Sequence, residues 1–405
     1  MIFRFVAFAA ILLASTPIHA DISQYEIKPD VVYGHKLGMA LTMDVIKPKT
    51  GANGAGVLFM VSGGWVSGWM PPESALTSDF ARGLGFTQML EKGFTLFLVR
   101  HGSSPRFKVP ECVDDVRRAV RFVRHRAADW AVNPARLGVF GASAGGHLSL
   151  MLGTTADEGK ANGKSEEEKT SNRVAAVVAI FPPSELKTFL ESEDYRRNFP
   201  ALQFDAADWK SVSPIEHVTP EDAPTLLLHG GKDTLVPEKH SREMLAALQK
   251  HGVETDLIFF PEAGHGFAGA DRERTVAATV AWFEKYLAAG RTAKPAAAPD
   301  PNNPLVGEWT LEFKMGDETR DYTLKFQPDG AGVKGTLVSP RSGDHPVDSA
   351  SLDDNKFKMR IKRNFDGTDV TIVYTGKLDN GALAGKVVAE GYEDRFSGEW
   401  SAKRK

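Results

Sequence analysis

Between residues 39 and 288 the apolar positions follow two alternating patterns. Short runs rich in Val, Leu, Ile and Phe occur at 39–45, 56–61, 95–99, 137–140, 175–181, 225–228 and 256–260, with the length and β-branched content of buried strands. Longer amphipathic stretches lie among them, best seen at 113–126, 239–250 and 275–288. In the first of these, Val116, Val120 and Val123 recur at i, i+4 and i+7, while Arg117, Arg118, Arg121 and Arg124 take the other faces. Strands alternating with helices predict an α/β fold, a doubly wound and mostly parallel sheet covered on both sides. Such sheets bind ligands at the carboxyl ends of their strands.

Near residue 303 the period changes from 3.6 to two. Segments 307–314, 320–326, 334–338, 356–362, 369–374 and 384–388 alternate apolar and polar residues, and Asp329-Gly330, Asp366-Gly367 and Asn380-Gly381 read as hairpin turns. Roughly eight short antiparallel strands predict a small all-β, closed-barrel domain. Gly307-Glu308-Trp309 and Gly398-Glu399-Trp400 echo each other, as if the first and last strands meet.

These patterns set the expected organisation. Residues 1–20 read as an export signal, with Arg4 in a basic start, an apolar stretch at 5–14 and Ala20 at the cleavage point. That stretch is shorter than the roughly 20 residues a membrane span needs, and no later one approaches it. A secreted or periplasmic protein without stable membrane insertion is expected, its mature chain beginning at Asp21. An α/β domain is expected at 21–289 with a cap segment at about 182–220, a Pro/Ala-rich linker at 290–303, and a β-rich domain at 304–405. The single cysteine, Cys112, lies on a predicted helix and reads as a buried structural thiol. A net charge of −3 with 25% charged residues describes a balanced surface and points away from nucleic acid or anionic lipid as a partner.

The candidate chemistry sits where the strand at 137–140 runs into Gly141-Ala142-Ser143-Ala144-Gly145 and then into the apolar helix-like stretch 148–152. A serine between two glycines at a strand-to-helix turn reads as a nucleophile elbow, in which a strained turn thrusts the hydroxyl out of the sheet. A phosphate cradle is the competing reading, but neither a P-loop lysine nor a G-x-G-x-x-G spacing is present. A serine hydroxyl needs a base to accept its proton and an acid to orient that base, in the order Ser, acid, His. Asp233 stands just beyond the strand at 225–228, and His265, between Gly264 and Gly266, just beyond the strand at 256–260. His147 and His229 read as structural hydrogen-bonding histidines, and Glu238 and Glu262 lie one turn from the place the acid should occupy. His101, ending the strand at 95–99, is a candidate substrate contact, as are Trp65 and Trp69. The developing oxyanion needs donors, for which the backbone amides of Ala144, Gly63 and Gly64 are the candidates. His229-Gly230-Gly231 is a decoy for such a loop, because it follows the nucleophile and belongs to the acid segment.

On these motifs, together with 109–123 and 133–148, the chain resembles the esterase branch of the α/β-hydrolases over about 30–288. It lies near the feruloyl esterase-like and acetylxylan esterase-like enzymes and is related to the prolyl oligopeptidase-type hydrolases. The resemblance implies hydrolysis of carboxylic esters through an acyl-enzyme, with no cofactor and no metal. One departure stands out: the group usually carries His-Gly-Gly-Gly-Trp in the oxyanion loop, and here Val61 and Ser62 replace the His and the first Gly. The Ser62 hydroxyl is the expected substitute for part of the lost brace. The aromatics Phe189, Tyr195, Phe199, Phe204 and Trp209 of the cap segment either line a cleft or pack the cap onto the sheet. The expected activity is therefore that of a secreted serine esterase acting on a small-molecule or polysaccharide-linked ester. The rivals are a prolyl oligopeptidase-type peptidase and a non-catalytic glycan- or lipid-binding protein. The C-terminal domain resembles lipocalin-like barrels loosely, a likeness that assigns no ligand.

Overall fold

The computed structural model describes residues 22–159, 163–289 and 303–405, apart from 316–317, 330–331, 341, 348, 354, 366–367, 390–391 and 393–395. The expected signal at 1–20, nearly all of the linker, the Asp366-Gly367 turn and Gly330 of the first turn lie outside the described residues. The chain divides into two compact units, 1–294 and 295–405.

The first unit is built on eight strands: β1 (Tyr25–Lys36), β2 (Met39–Pro48), β3 (Gly56–Val61), β4 (Thr95–Arg100), β5 (Leu137–Ala142), β6 (Ala176–Ile180), β7 (Thr225–Gly230) and β8 (Thr255–Phe260). Their order across the sheet is β1-β2-β4-β3-β5-β6-β7-β8. From β4 to β8 all neighbours are parallel, and of the eight strands β2 alone runs against the rest, being antiparallel to both β1 and β4. This is the sheet of an α/β-hydrolase.

Alternation along each central strand sends side chains to two separate cores. On β3, Leu58 and Met60 join one core, whereas Val57 and Phe59 join the other. On β4, Phe97 and Val99 part from Leu96 and Leu98 in the same way. The first core is covered by α1 (Val109–His125), α2 (Ala144–Thr154) and α3 (Lys239–Lys250), the second by α4 (Gly269–Tyr286). Helix α1 begins four residues before the expected stretch because its start is capped. The Lys108 amide donates to the Glu111 carboxylate at 3.0 Å, and Pro110 fits the first turn, where no amide is needed.

Strand β1 has no counterpart in the hydrophobic pattern, for a physical reason. It is an edge strand that tolerates Pro29, and register shifts between Lys28 and Val31 and between Val32 and Gly34 break its period of two.

The second unit is one antiparallel sheet of nine strands in the order β12-β11-β10-β9-β17-β16-β15-β14-β13. The strands are β9 (Gly307–Met315), β10 (Glu318–Asp329), β11 (Gly332–Ser339), β12 (Gly343–Pro346), β13 (Ser349–Asp353), β14 (Lys356–Phe365), β15 (Thr368–Asp379), β16 (Ala382–Ala389) and β17 (Ser397–Arg404). The first and last strands do pair, with Trp400 opposite Phe313 and Arg404 opposite Trp309. The expected barrel-like domain is borne out as a sheet curled into a half-barrel, whose two end strands, β12 and β13, are successive along the chain, one paired with β11 and the other with β14. Strand β12 is only four residues long and ends in Pro346, which has no amide to donate. The concave side is filled by alternate residues such as Trp309, Leu311 and Phe313 on β9 and Phe357, Met359 and Ile361 on β14.

Phe283 of α4 is fully buried and meets Phe94 and Phe140 edge-on, with centroids 6.5 and 5.9 Å away. Phe283→Ala is expected to destabilise the first unit by about 3–5 kcal/mol, read as a shift of its denaturant-unfolding midpoint. A shift corresponding to less than about 1 kcal/mol would contradict the packing described.

Candidate active site

The strand-to-helix turn after β5 is set by two close approaches. A Cβ on Gly141 would lie 2.4 Å from the carbonyl carbon of Gly145, and a Cβ on Gly145 would lie 2.6 Å from the carbonyl oxygen of Met60 on β3. Neither neighbour can yield, because both are backbone. The turn therefore closes only with glycine at both places. Between them Ser143 is held at φ 55° and ψ −121°, a conformation that costs a non-glycine residue about 1–3 kcal/mol. The Ser143 amide anchors the turn by donating to the Ile180 carbonyl on β6 at 2.8 Å.

Two further loops, after β7 and after β8, are pressed together beside it. A Cβ on Gly230 would lie 2.4 Å from the Ala263 carbonyl oxygen, and across the same contact Lys232 N–H donates to that oxygen at 2.8 Å. The glycines of the decoy thus serve to seat the acid loop against the histidine loop. His265 Nδ1 lies 2.7 Å from Asp233 Oδ2, and His265 Nε2 lies 3.0 Å from Ser143 Oγ. A carboxylate only accepts, so Nδ1 carries the proton and Nε2 is left to accept from the serine hydroxyl. The histidine ring rests on Phe181, with centroids 4.5 Å apart.

The Asp233 carboxylate is fully buried, and Oδ1 accepts from the amides of Leu235 and Val236 at 3.0 and 2.9 Å. Burial alone would push its pKa up. The bonds from His229, His265 and the Val236 amide outweigh that and hold it well below the usual carboxylate range. Of the two histidines, His265 is the closer donor, because His229 Nε2 is 3.5 Å from the carboxylate and 2.8 Å from the Val236 carbonyl.

On the other side of the serine lies the loop after β3. Ala144 begins α2, where its amide has no intrahelical partner, and the Gly64 amide makes no backbone hydrogen bond. Both remain able to meet a developing oxyanion. Gly63 is corrected: its amide is engaged with the Val66 carbonyl at 3.0 Å, and the Val66 amide returns the bond at the same length. Trp65 is likewise not a substrate contact, being 3% exposed with its indole N–H donating to His147 Nδ1 at 3.3 Å. His101 is corrected too, since it is buried and its Nε2 meets the Ser62 hydroxyl at 2.9 Å. Trp69 is 60% exposed and stays available.

The remaining histidines and acids have other tasks. His147 is fully buried, and its Nε2 donates to the Val212 carbonyl at 2.7 Å. His229 is buried beneath the acid loop, with Nδ1 2.7 Å from the Ser241 hydroxyl. Glu262 pairs with Lys232, and Glu238 with Arg242. Burial raises the Cys112 thiol far above its ordinary pKa, leaving it inert at neutral pH. The cap aromatics are packed rather than free. Phe199 lies over Gly64, and Tyr195 donates to the Leu235 carbonyl at 3.0 Å, tying the cap to both the oxyanion loop and the acid loop. Sequence reasoning missed Ser103 and Ser104, whose atoms hold the oxyanion loop. The Ser67 amide donates to Ser103 Oγ at 2.9 Å, and the Ser104 amide to the Trp65 carbonyl at 3.0 Å. No periodicity marks such loop-to-loop bonds. Among the described residues, no cluster of three or more His, Cys, Asp or Glu is arranged to hold a metal ion, and no helix is long and apolar enough to cross a membrane.

A family model described as BD-FAE matches residues 43–248, just over half of the chain. The chain is similar to Esterase LipQ of Mycobacterium tuberculosis, 31% identical over 56% of this chain and 55% of that one. It is also similar to the probable carboxylic ester hydrolase LipM of the same organism, 27% identical over 66% of this chain and 64% of that one. The matched region thus spans between half and two thirds of these relatives. A crystal structure of an acetyl ester-xyloside bifunctional hydrolase from Caldicellulosiruptor lactoaceticus shares the fold, with a TM-score of 0.54 and 22% identity over 63% of this chain and 95% of that one.

Because the Asp233 carboxyl titrates lower folded than unfolded, its contribution to stability is present above the unfolded carboxylate value of about 4 and is lost as pH falls below it. The stability difference between the wild type and Asp233→Asn is therefore expected to be largest near pH 7 and to shrink toward pH 3 in urea titrations. A difference that grows on acidification would contradict the hydrogen bonding described.

Proposed function

The chain belongs to the BD-FAE family, and on that footing we propose that it is a carboxylic ester hydrolase working through an acyl-enzyme on Ser143. One observation carries the reading: the unbroken contact from Asp233 Oδ2 through His265 to Ser143 Oγ, at 2.7 and 3.0 Å. In the first half-reaction His265 Nε2 removes the Ser143 proton as Oγ bonds to the ester carbon. Asp233 stabilises the imidazolium that results. The carbonyl oxygen becomes an oxyanion facing the amides of Gly64 and Ala144. Collapse of the tetrahedral species breaks the bond to the alcohol oxygen, which leaves with the proton from His265. A water then repeats the sequence on the acyl-enzyme, releasing the acid and restoring the serine.

The substrate we propose is an acyl or aryl ester on a saccharide. Support comes from the apolar rim beside the oxyanion loop, where Val66, Trp69 and Met70 are 51%, 60% and 37% exposed. An exposed indole five residues beyond the Gly64 amide offers a flat face to an aryl group or a sugar ring. The export signal expected at 1–20 would bring such an enzyme to polymers outside the cytoplasm.

The test is hydrolysis of p-nitrophenyl acetate, an acetylated or feruloylated xylan and a peptide amide. Ester cleavage is expected, and Ser143→Ala should lower kcat at least about a thousandfold. Full activity in that variant would refute the mechanism, and preferential amide cleavage would favour a peptidase. Trp69→Ala should raise KM for the xylan esters several-fold while leaving p-nitrophenyl acetate nearly unchanged.

A further inference from the structure

In the oxyanion loop, the place that the resembling enzymes give to a histidine and a glycine is held here by Val61 and Ser62. A loop that presents amides to an oxyanion works only if those amides stay aimed, so something else must fix it. The supporting contacts come from the segment 101–104, which follows the neighbouring strand β4. We propose that His101 is a positioning residue for the oxyanion loop, acting through the Ser62 hydroxyl two residues ahead of the Gly64 donor. The inference rests on the acyl-transfer reading above and adds a residue to it.

The chemistry of the pair is fixed from behind. His101 Nδ1 lies 2.9 Å from the Gly102 carbonyl, which only accepts, so Nδ1 carries the ring proton. Nε2 is then a bare acceptor, and the Ser62 hydroxyl donates to it at 2.9 Å. Burial lowers the His101 pKa to about 4, so the ring keeps this neutral form at the pH where esters are hydrolysed. The Gly102 peptide is itself clamped. Its amide donates to Asp115 Oδ2 on α1 at 2.9 Å, and its carbonyl accepts from the Cys112 thiol at 3.3 Å. Lys36 on β1 holds the same Asp115 carboxylate at 2.9 and 3.0 Å. A rigid line therefore runs from β1 and α1, through Gly102 and His101, to Ser62. Farther along the loop, the Ser67 and Trp65 bonds to 103–104 fix its other end, while the Ser67 hydroxyl donates to the Val61 carbonyl at 2.6 Å. The Ser62 bond is the tie between the segment 101–104 and the part of the loop ahead of Gly63 and Gly64.

A positioning role and a merely structural one separate in kinetics. Ser62→Ala is expected to lower kcat on p-nitrophenyl acetate on the order of tenfold, the equivalent of one hydrogen bond, with KM within about twofold. Its affinity for a trifluoromethyl ketone, which adds to Ser143 and places an oxyanion in the same hole, should fall by the same factor. Ser62→Thr, which keeps the hydroxyl, should recover most of both. His101→Gln should resemble Ser62→Ala, and the double variant should lose no more than the stronger single one. Unchanged kcat and ketone affinity in Ser62→Ala would overturn the proposal, as would losses that multiply in the double variant. If His101→Gln does not fold, the Ser62→Ala and Ser62→Thr pair decides alone. Ester hydrolysis undiminished in Ser143→Ala would sink the acyl-transfer reading itself. An inactive Ser143→Ala beside a wild-type-like Ser62→Ala would sink only the role of His101.

Discussion

Backbone contact without intervening side chains is the constraint from which the site is built. The turn after β5 lies so close to β3 that Gly145 sits against the Met60 carbonyl, and the acid and histidine loops meet at Gly230 with equal intimacy. Strand spacing in a sheet is fixed by its hydrogen bonds at about 4.8 Å, so loops leaving adjacent strands cannot move apart to accommodate a methyl group. Ser143 is thereby held in a backbone conformation it would not choose, and its hydroxyl is delivered to an imidazole carried by a different strand. The strain at one residue is offset by the two cores on either side of the sheet, which leave the turn no room to relax.

Much of this was readable in the chain because it obeys local rules. The central strands and helices announce themselves through periodicity, and the acid and base follow from the order of their strands. What the chain concealed was of two kinds. Strand β1 escaped because bulges and Pro29 scramble its alternation at a sheet edge, where exposure removes the hydrophobic signal. The roles of Gly63, Trp65 and His101 escaped because they depend on which partner each polar atom finds across a loop. Proximity to the nucleophile in sequence pattern does not separate a group that faces the substrate from one that supports the wall behind it.

On the proposed reading, the loop after β3 keeps its function while its supports change. Amides stabilise an oxyanion whatever their side chains, so selection acts on their aim rather than on their identity. A hydroxyl paired with a buried neutral imidazole provides a short, directional contact, and both partners are satisfied without a buried charge. One step farther back, the half-buried Lys36 and the buried Asp115 neutralise each other.

The pairing of β9 with β17 has a bearing on how the second unit comes into being. All its other ladders join strands that are neighbours along the chain and can assemble as soon as each hairpin emerges. Strand β9 is different, because its second partner is the last strand of the unit to be synthesised. Until then Trp309, Leu311 and Phe313 line an edge with free amides and carbonyls on one side. During translation, the interval between those two strands is the period in which this unit is most open to pairing with the wrong chain.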